Sequence, residues 1–411
     1  MKKLLLALIS MLLCLSLVAC SSNDDNVTDG ENDKTVYKVG MVCIGDDNAA
    51  YDRNFYMAAD EAKKILAEKG IDIEWSYTYN HPAGDPVTDD CIELAEDGAI
   101  AVFLNSYGME PAMLKVAADY PNTVFAALTN EGSKSDDLPN TVNAFPSIYE
   151  GRYLAGIVAG AKLQDMIDNG EISEDEAILG YVGAYTYSEV VSGYTAFYLG
   201  AKSVCPSAKM LVQFIGSWGD PAKENDAAQA LIDQHAVIVS QHSDSTTPAT
   251  CAQQNGVYHV GYNISMSTPE IAPEASLVSS RIDWTNYFVY VIETIVNGGT
   301  VVQDYMGHGL KDGDIVLTEI NEKLVPANTK DLVNAAYDAI VSGTLNVFDT
   351  SAFTIGGQEL TTSLVDMNCD FVGDEGYDAV FDGCYHESYF KSAPAFAERI
   401  DGITLLNEAF E

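Results

Sequence analysis

The chain has 411 residues, of which 21 are Lys or Arg and 61 are Asp or Glu, so its formal net charge is −40. Hydrophobic residues make up 47% of the chain, which excludes a disordered protein, and the length favours two domains. The acidic charge argues against nucleic acid and anionic membrane surfaces as partners, since both are bound through Lys and Arg.

The first twenty residues have the features of a bacterial secretion signal. Two lysines precede the apolar run Leu4–Ala19, which is shorter than the roughly 20 residues of a membrane-spanning helix, so residues 1–19 are expected to be a signal peptide. The run ends in Leu-Val-Ala-Cys, which resembles a lipobox and predicts a lipid on Cys20. Residues 20–35 are polar and acidic and predict a disordered tether. The expected location is the cell membrane, lipid-anchored on its extracytoplasmic face; an ordinary secretory signal is the alternative.

After the tether, short apolar runs alternate with amphipathic stretches. Short apolar runs predict buried strands, and apolar residues three and four apart predict helices. Strict alternation is typical of right-handed crossovers and a parallel sheet. The predicted order is strand Val36–Ile44, helix Phe55–Lys69, strand Ile71–Tyr77, helix Asp85–Glu96, strand Ala99–Leu104, helix Pro111–Asp119 and strand Thr123–Leu128.

A second alternating series follows a long helix that we predict at Ile148–Met166. Gly151, Gly156 and Gly160 in this helix indicate close packing against a neighbour in a soluble core. The second series is strand Ala177–Val182, helix Val190–Ser203, strand Lys209–Ile215, helix Pro221–Gln234, strand Ala236–Ser240, helix Pro248–Gln254, strands Val257–Tyr262 and Leu277–Ser280, helix Tyr287–Asn297, strand Asp314–Leu317 and helix Thr329–Ser342.

The two series predict an α/β fold with two doubly wound parallel-sheet lobes joined by a hinge. We expect lobe 1 to contain residues 36–145 and about 264–300, and lobe 2 to contain residues 146–263 and about 301–411, the last part being irregular and acidic. In such folds ligands bind at the carboxyl ends of the strands, where one lobe faces the other.

Sequence motifs for catalysis and metal binding are absent. The chain has no phosphate-binding loop and no H-E-x-x-H, C-x-x-C or G-x-S-x-G motif. Residues 366–371 resemble the start of a calcium loop, but Phe371 occupies the position that needs Gly. Ser, His and Asp at 241–245 are neighbours on one segment, unlike a catalytic triad. We expect no catalytic residue, cofactor or metal; Cys369 and Cys384 either form a disulfide or stay free.

Aromatic and polar side chains recur directly after the predicted strands. A planar heterocycle suits this lining, because aromatic rings stack on its faces for roughly 1–3 kcal/mol per base and Asp, Asn and Arg pair with its edges. For a single Asp or Asn the alternative is a helix cap or turn, and for a ring it is packing at the rim. The candidate ligand contacts are Asp47, Asn48, Tyr51, Asn54, Phe55, Ser106, Tyr107, Trp218, Asp220, His242, Asp244, Asn263 and Arg281.

Four stretches of the chain together match a known family. They are N-A-F-P-S-I-Y-E-G-R-Y-L-A-G at 143–156, G-Y-V-G-A at 180–184, G-S-W-G-D-P-A-K-E at 216–224 and S-Q-H-S-D-S at 240–245. They resemble the basic membrane protein (BMP) lipoproteins, which are substrate-binding components of ABC importers related to bacterial purine nucleoside receptors. The resemblance implies a type I periplasmic-binding fold with three hinge crossovers, a purine nucleoside or nucleobase as ligand, and an ABC permease as partner of a monomer.

The resemblance also implies roles for individual residues. Trp218 matches the stacking ring of a Gly-Ser-aromatic motif, and Tyr51 is the second ring, although its spacing from Asp47 departs from the family pattern. Asp47 matches the acid that meets the base. Asn263 stands where the family has an Asp, and Arg281 approximates a family Lys, so the sequence leaves nucleobase and nucleoside both open.

Three other functions remain compatible with the sequence. The same fold could bind a sugar, an autoinducer or another small polar metabolite, and it could serve as the sensor subunit of a membrane kinase. A nucleoside hydrolase is the enzymatic alternative, but the chain lacks the aspartate cluster for calcium and a recognisable nucleophile.

Overall fold

The computed structural model describes residues 35–130 and 138–407. The predicted signal peptide, the lipid site at Cys20 and the tether up to residue 34 lie outside the described residues. Within the described part, no helix combines the length and the apolar character that a bilayer span requires.

The first sheet is built from the first alternating series. Its described strands are all parallel, in the order β2-β1-β3-β4-β5. The side chains of the central strand β3 are almost completely buried, as expected for a parallel sheet covered by helices on both faces. The elements are β1 Val36–Val42, α1 Ala50–Glu68, β2 Asp72–Thr78, α2 Asp85–Glu96, β3 Ala99–Leu104, α3 Glu110–Val116, β4 Val124–Leu128 and β5 Thr141–Ala144.

The second sheet has the order β11-β10-β9-β8-β6-β7-β14 among the described strands. Among the described strands of this sheet, only the β10–β11 pair is antiparallel. The elements are α4 Ile148–Asp168, β6 Ile178–Gly183, α5 Ser188–Val204, β7 Lys209–Phe214, α6 Pro221–Asp233, β8 Ile238–Gln241, α7 Thr247–Gln254, β9 Tyr258–Tyr262, β10 Ser276–Ile282, α8 Thr285–Val296, β11 Ile315–Leu317, α9 Thr329–Val341, the short pair β12 Val380–Phe381 and β13 Cys384–Tyr385, and β14 Ile403–Leu405.

Helices α4 and α5 cross closely in the core of the second lobe. A Cβ added at Gly156 would lie 2.0 Å from the carbonyl oxygen of Phe197, and one added at Gly160 would lie 2.3 Å from that of Ala201. The glycines of α4 therefore serve the close packing that the sequence predicts.

Within the described residues, the chain passes between the two sheets three times, after β5, after β10 and again before β11. Helix α8 returns to the first lobe, where Phe288 packs 4.7 Å from Phe103 between ring centroids. Two crossovers run side by side, since the Asn143 amide donates to the Gln303 carbonyl at 2.7 Å and the Ser147 amide donates to the His308 carbonyl at 2.9 Å. These backbone bonds join the crossovers into one hinge region.

The structure differs from the sequence prediction at several strands. β10 pairs with β9 in the second sheet, although the expected boundary near 264 assigns it to lobe 1. β5 and β14 are not predicted, and β14 adds the C-terminal segment to the edge strand β7. Cys369 and Cys384 are not joined to each other, so the disulfide considered above is not formed.

Candidate functional site

A cavity with about 260 Å³ of empty space lies between the strand ends of the two sheets. The first lobe supplies residues from the start of α1 and from the segments after β3 and β4, and the second lobe supplies residues from α5, β9 and the segments after β7 and β8. The carboxyl ends of parallel strands meet here, which is the usual ligand position in this architecture. The lining residues are Tyr51, Ser106, Tyr107, Thr129, Glu189, Trp218, His242, Asp244 and Tyr262.

Trp218 is a second-lobe ring that faces the first lobe across the cleft. Its centroid lies 5.9 Å from that of Tyr107, across the cleft, and 5.2 Å from that of Tyr185, which packs edge-on. The Trp218 carbonyl accepts a hydrogen bond from the Asp244 amide at 2.9 Å, so the segments after β7 and β8 are tied together. The indole is thus held in the cavity wall rather than on the outer surface.

Tyr51 presents its ring from the first lobe. Its hydroxyl donates to the Asn105 carbonyl and lies 2.9 Å from the Thr129 hydroxyl oxygen, so the segments after β3 and β4 fix its orientation. Burial raises the pKa of Tyr51 well above its usual value, which keeps the phenol neutral. Phe55 packs edge-on against the Tyr51 ring, with 5.0 Å between the ring centroids.

His242 enters the cavity as a neutral imidazole. Burial, and next the charge of Arg152, hold its pKa well below the ordinary value. Nε2–H of the neutral ring donates to the Glu189 carboxylate at 3.1 Å, and Nδ1 faces the Tyr181 hydroxyl at 3.4 Å. This pairing fixes the tautomer and leaves a ring face as the surface that His242 offers to a ligand.

Asp244 is the half-buried acid of the cavity. Burial and the neighbouring carboxylates of Asp52, Glu224 and Glu189 raise the pKa of Asp244 well above its ordinary value. None of the described residues that line this cavity is Lys or Arg. Such a carboxylate is poorly compensated by the protein, and it favours a ligand that brings N–H or O–H donors.

Behind the lining, two charged side chains brace the walls. The Arg152 guanidinium lies 3.6 Å from the Tyr262 ring centroid and donates to the Gln241 carbonyl at 2.9 Å. In the first lobe, Asp52 accepts from the Asn105 side chain at 2.8 Å and from the Gly45 amide at 3.1 Å. Burial raises the pKa of Asp52 to about 6.

Six of the thirteen predicted contacts line the cavity, namely Tyr51, Ser106, Tyr107, Trp218, His242 and Asp244. Asp47 and Asn48 do not, because both are exposed in the loop after β1, and Asp47 borders an outward recess instead. Asp220 is the N-cap of α6, where its carboxylate accepts from the Lys223 amide at 3.1 Å. This bond is the helix cap that the sequence analysis gave as the alternative for such an Asp.

Two of the remaining predicted contacts, Asn54 and Arg281, serve the junction between the lobes. The Asn54 side chain donates to the Ile282 carbonyl at 2.8 Å and accepts from Arg281 at 3.2 Å, and Arg281 also pairs with Asp283 at 2.7 Å. These bonds join α1 to the end of β10.

Two further predicted contacts stay outside the lining. Phe55 is buried and stacks on Trp284 at 5.2 Å in the core. Asn263 is buried in a left-handed conformation with φ of 68°, directly after Tyr262, and its side-chain nitrogen has no hydrogen-bond partner among the described residues.

Three lining residues are missed by sequence reasoning. Thr129 directly follows β4, and its neighbour Asn130 accepts from the Gly108 amide at 2.9 Å. Tyr262 is the last residue of β9, so its strand position hides it from a search of residues after strands. Glu189 comes from the first turn of α5 and leaves no signal in the sequence.

Three known proteins are similar in sequence to this chain. It is 32% identical to a purine-binding protein of Brucella abortus, over 76% of this chain and 83% of that protein. It is 31% identical to a Haloferax volcanii protein whose name proposes glucose binding for an ABC transporter, over 74% of this chain and 72% of that protein. A nucleoside-binding protein of an ABC transporter from Lactococcus lactis is 27% identical over 55% of this chain and 60% of that protein.

Solved structures share the fold at low sequence identity. A solute-binding protein of an ABC transporter from Aeropyrum pernix aligns with a TM-score of 0.60 at 16% identity, over 76% of this chain and 93% of that one. One from Conexibacter woesei aligns with a TM-score of 0.57 at 22% identity, over 75% of this chain and 98% of that one. The fold is therefore that of type I periplasmic solute-binding proteins.

The model of one family matches residues 38–348, and its description reads ABC transporter substrate-binding protein PnrA-like (Bmp). The chain belongs to this family, which confirms the resemblance found in the sequence motifs. It is a substrate-binding protein of an ABC transporter, a class that binds small molecules outside the cytoplasm rather than converting them.

Proposed function

We propose that this protein captures a purine nucleobase or nucleoside in the interlobe cavity and delivers it to an ABC permease. The observation that carries the proposal is the composition of the lining: five of its nine residues present aromatic or imidazole rings, and these come from both lobes. Rings on opposite walls suit a flat heterocycle, whose two faces they can cover.

Stacking would supply most of the binding free energy. Trp218 from the second lobe and Tyr51 and Tyr107 from the first lobe line the same small space. Aromatic stacking on a base is worth roughly 1–3 kcal/mol per base. Because the Trp218 and Tyr107 centroids are 5.9 Å apart in this closed arrangement, a bound base requires the lobes to open and close around it by hinge motion.

The ring edges would be read by acceptors. Asp244 lines the cavity without a basic neighbour in the lining, so a ligand N–H that reaches it removes an unfavourable burial. The hydroxyls of Ser106 and Thr129 can complement the remaining ring nitrogens or a carbonyl. An exocyclic amine or a ring N–H of a purine matches this arrangement.

A sugar is the second candidate, and one finding favours it. A relative of comparable similarity is named as a glucose-binding protein. Aromatic rings also stack on sugars, and a carboxylate accepts from sugar hydroxyls. Apart from its rings, the lining nevertheless holds only two carboxylates and two aliphatic hydroxyls among its described residues, and five rings favour the heterocycle over a hexose with its many hydroxyls.

The proposal includes the division of the chain into two lobes and its attachment to the membrane. Lobe 1 comprises the first sheet with α8, and lobe 2 comprises the second sheet with the C-terminal segment. Cys20 carries the lipid that holds the monomeric protein at the extracytoplasmic face of the membrane. The lipobox-like end of the apolar run supports this part.

A thermal-shift panel tests the proposal directly. The purified protein is heated with hypoxanthine, adenine, inosine, adenosine, uridine or glucose, each at several concentrations. A ligand at 100 times its dissociation constant adds about 2.7 kcal/mol to stability. We expect purines to raise the melting temperature and glucose to leave it unchanged. A shift with glucose and none with any purine would replace the proposal by the sugar candidate.

A further inference from the structure

A direct contact between the two lobes lies beside the interlobe cavity. The rings of Tyr107 and Tyr187 stack with 4.8 Å between centroids and an angle of 21° between their planes. Tyr107 follows β3 in the first lobe, and Tyr187 directly precedes α5 in the second lobe. Tyr187 is not among the described residues that line the interlobe cavity, so the second-lobe half of this pair lies outside the proposed ligand site.

The first-lobe ring belongs to a segment that is fixed to the first sheet. The side chain of the buried residue Asn130 accepts from the Gly108 amide at 2.9 Å and donates to the Ser106 carbonyl at 3.0 Å. It also donates to the Leu128 carbonyl at 2.9 Å, at the end of β4. Both neighbours of Tyr107 are therefore tied to the sheet, and Tyr107 moves with the first lobe.

The second-lobe ring is fixed to helix α5. Tyr187 is the N-cap residue of this helix, and its carbonyl accepts from the Val190 and Val191 amides, each at 3.0 Å. Its ring stacks on Tyr185 with 5.0 Å between centroids, and Tyr185 packs edge-on against Trp218. Tyr187 therefore moves with the second lobe.

Residues 349–407, which lie beyond the family match, form a C-terminal extension that the structure describes. The extension belongs to the second lobe, because β14 pairs in parallel with β7 and the Glu387 carboxylate accepts from the Ser192 hydroxyl on α5. The ring of Phe371 in the extension lies 6.4 Å from the Tyr187 ring between centroids, with 26° between their planes. The extension thus places a third ring against the interlobe pair.

Backbone hydrogen bonds fix the position of Phe371. The Asp366 carboxylate accepts from the amides of Cys369 and Phe371, each at 2.7 Å. The Lys391 ammonium donates to the Asp366 carbonyl at 2.8 Å, which ties this loop to a later part of the extension. The Phe371 ring is therefore held against Tyr187 by its own loop.

We propose that Tyr107 and Tyr187 form a latch that holds the lobes closed, and that the C-terminal extension supports this latch through Phe371. Each ring of the latch moves with its own lobe, so hinge opening separates the two rings and removes their stacking. A contact that exists only in the closed state shifts the population toward that state. The latch goes beyond the proposed function, because it acts whatever small molecule occupies the cavity.

The latch has a consequence for the release of a ligand. A ligand enclosed between the lobes leaves only after they open, so a contact that stabilises the closed state slows its release. A stacked aromatic pair is worth a factor of about two to ten in an equilibrium constant. Because Tyr187 does not line the ligand cavity, the latch should slow the release of a base and of its nucleoside by the same factor.

Stopped-flow competition measures the rates at which hypoxanthine and inosine leave the wild-type protein and its variants. We expect Tyr187→Ala to accelerate the release of both compounds about two- to tenfold, and Phe371→Ala to accelerate it less. Two controls should release at the wild-type rate: Tyr187→Phe, which keeps the ring, and Tyr389→Ala, which removes another exposed ring of the extension. Small-angle X-ray scattering of the free proteins is the readout without ligand, and Tyr187→Ala should have a larger radius of gyration than the wild type.

A change in either readout with Tyr187→Ala supports the latch, and two results overturn it. The first is a release rate and a radius of gyration that both equal those of the wild type. The second is faster release of inosine alone, which would make Tyr187 a ligand contact. Failure of both compounds to bind the wild type overturns the proposed function but not the latch, and equal radii of gyration would then overturn the latch as well.

A second variant keeps the test decisive if Tyr187→Ala does not fold, which circular dichroism and the melting temperature reveal. Phe371 is exposed, so its replacement by Ala should leave the fold intact. In that case Phe371→Ala decides, and a release rate and a radius of gyration equal to those of the wild type would overturn the latch.

Discussion

Replacement of Trp218 by Ala is the perturbation with the clearest expected effect on binding. The indole lines the interlobe cavity and contacts Tyr107, Tyr185 and His242 at centroid distances of 5.9, 5.2 and 6.3 Å. Loss of one stacking partner costs roughly 1–3 kcal/mol per base, which corresponds to about a 5- to 150-fold rise in the dissociation constant. We expect the effect near the upper end, because the ring is half-buried in a closed cavity.

Isothermal titration calorimetry with hypoxanthine measures this loss. Trp218→Phe is the matched control, since it keeps an aromatic face in the same segment and should lose much less affinity. Circular dichroism and the melting temperature of the free variants confirm that the fold survives. An unchanged dissociation constant in Trp218→Ala, with the fold intact, would refute the stacking role of this residue.

Three further predictions concern acid groups and packing. Asp244→Asn should weaken purine binding by about tenfold or more, because the charged acceptor is lost. The same change should raise the melting temperature of the free protein at neutral pH, because a carboxylate whose pKa is raised in the folded state destabilises the fold once it is ionised. Calorimetry measures the affinity and thermal scans measure the melting temperature, and an affinity equal to that of the wild type would argue against a ligand contact. Burial raises the pKa of Glu387 to about 7, above the unfolded value near 4.3, so ionisation of this group should lower the free energy of unfolding by about 3 kcal/mol as pH rises from about 4.3 to 7. Glu387→Gln should flatten that pH dependence in urea titrations at pH 5 and 8, and an unchanged slope would contradict the assignment. Gly156→Ala should lower the free energy of unfolding by about 3 kcal/mol or raise aggregation on expression, because the new Cβ would lie 2.0 Å from the Phe197 carbonyl oxygen. A urea midpoint equal to that of the wild type would show that α4 and α5 can separate to make room for the methyl group.

The sequence predicts the long periodic elements well. Helix α2 and strand β3 have the predicted limits, Asp85–Glu96 and Ala99–Leu104, because each is a self-contained apolar pattern. β5 is only Thr141–Ala144, and β14 is only Ile403–Leu405, so neither carries a pattern long enough to be recognised. Their pairing with β4 and β7 is a tertiary event that local periodicity does not encode.

The aromatic part of the candidate site was easier to predict than the polar part. Rings at strand ends such as Tyr51, Tyr107 and Trp218 line the cavity because no cap or turn requires a large ring there. Acids and amides have competing local uses, and Asp220 illustrates this by capping α6.

Which side chains of a helix face the cavity depends on their positions around the helix axis. Tyr51 and Asn54 lie three residues apart near the start of α1, yet Tyr51 faces the cavity and Asn54 bonds to the Ile282 carbonyl. The last part of the chain was expected to be irregular, and nothing in its composition indicated that the Phe371 ring would stack on Tyr187.

A crystal structure of the protein with bound inosine tests the central claim most directly. The account predicts the purine ring between the Trp218 face and the rings of Tyr51 and Tyr107, with a ring or amino nitrogen within hydrogen-bond distance of the Asp244 carboxylate. Density for the base outside the interlobe cavity, or a base that leaves Trp218 uncovered, would contradict it.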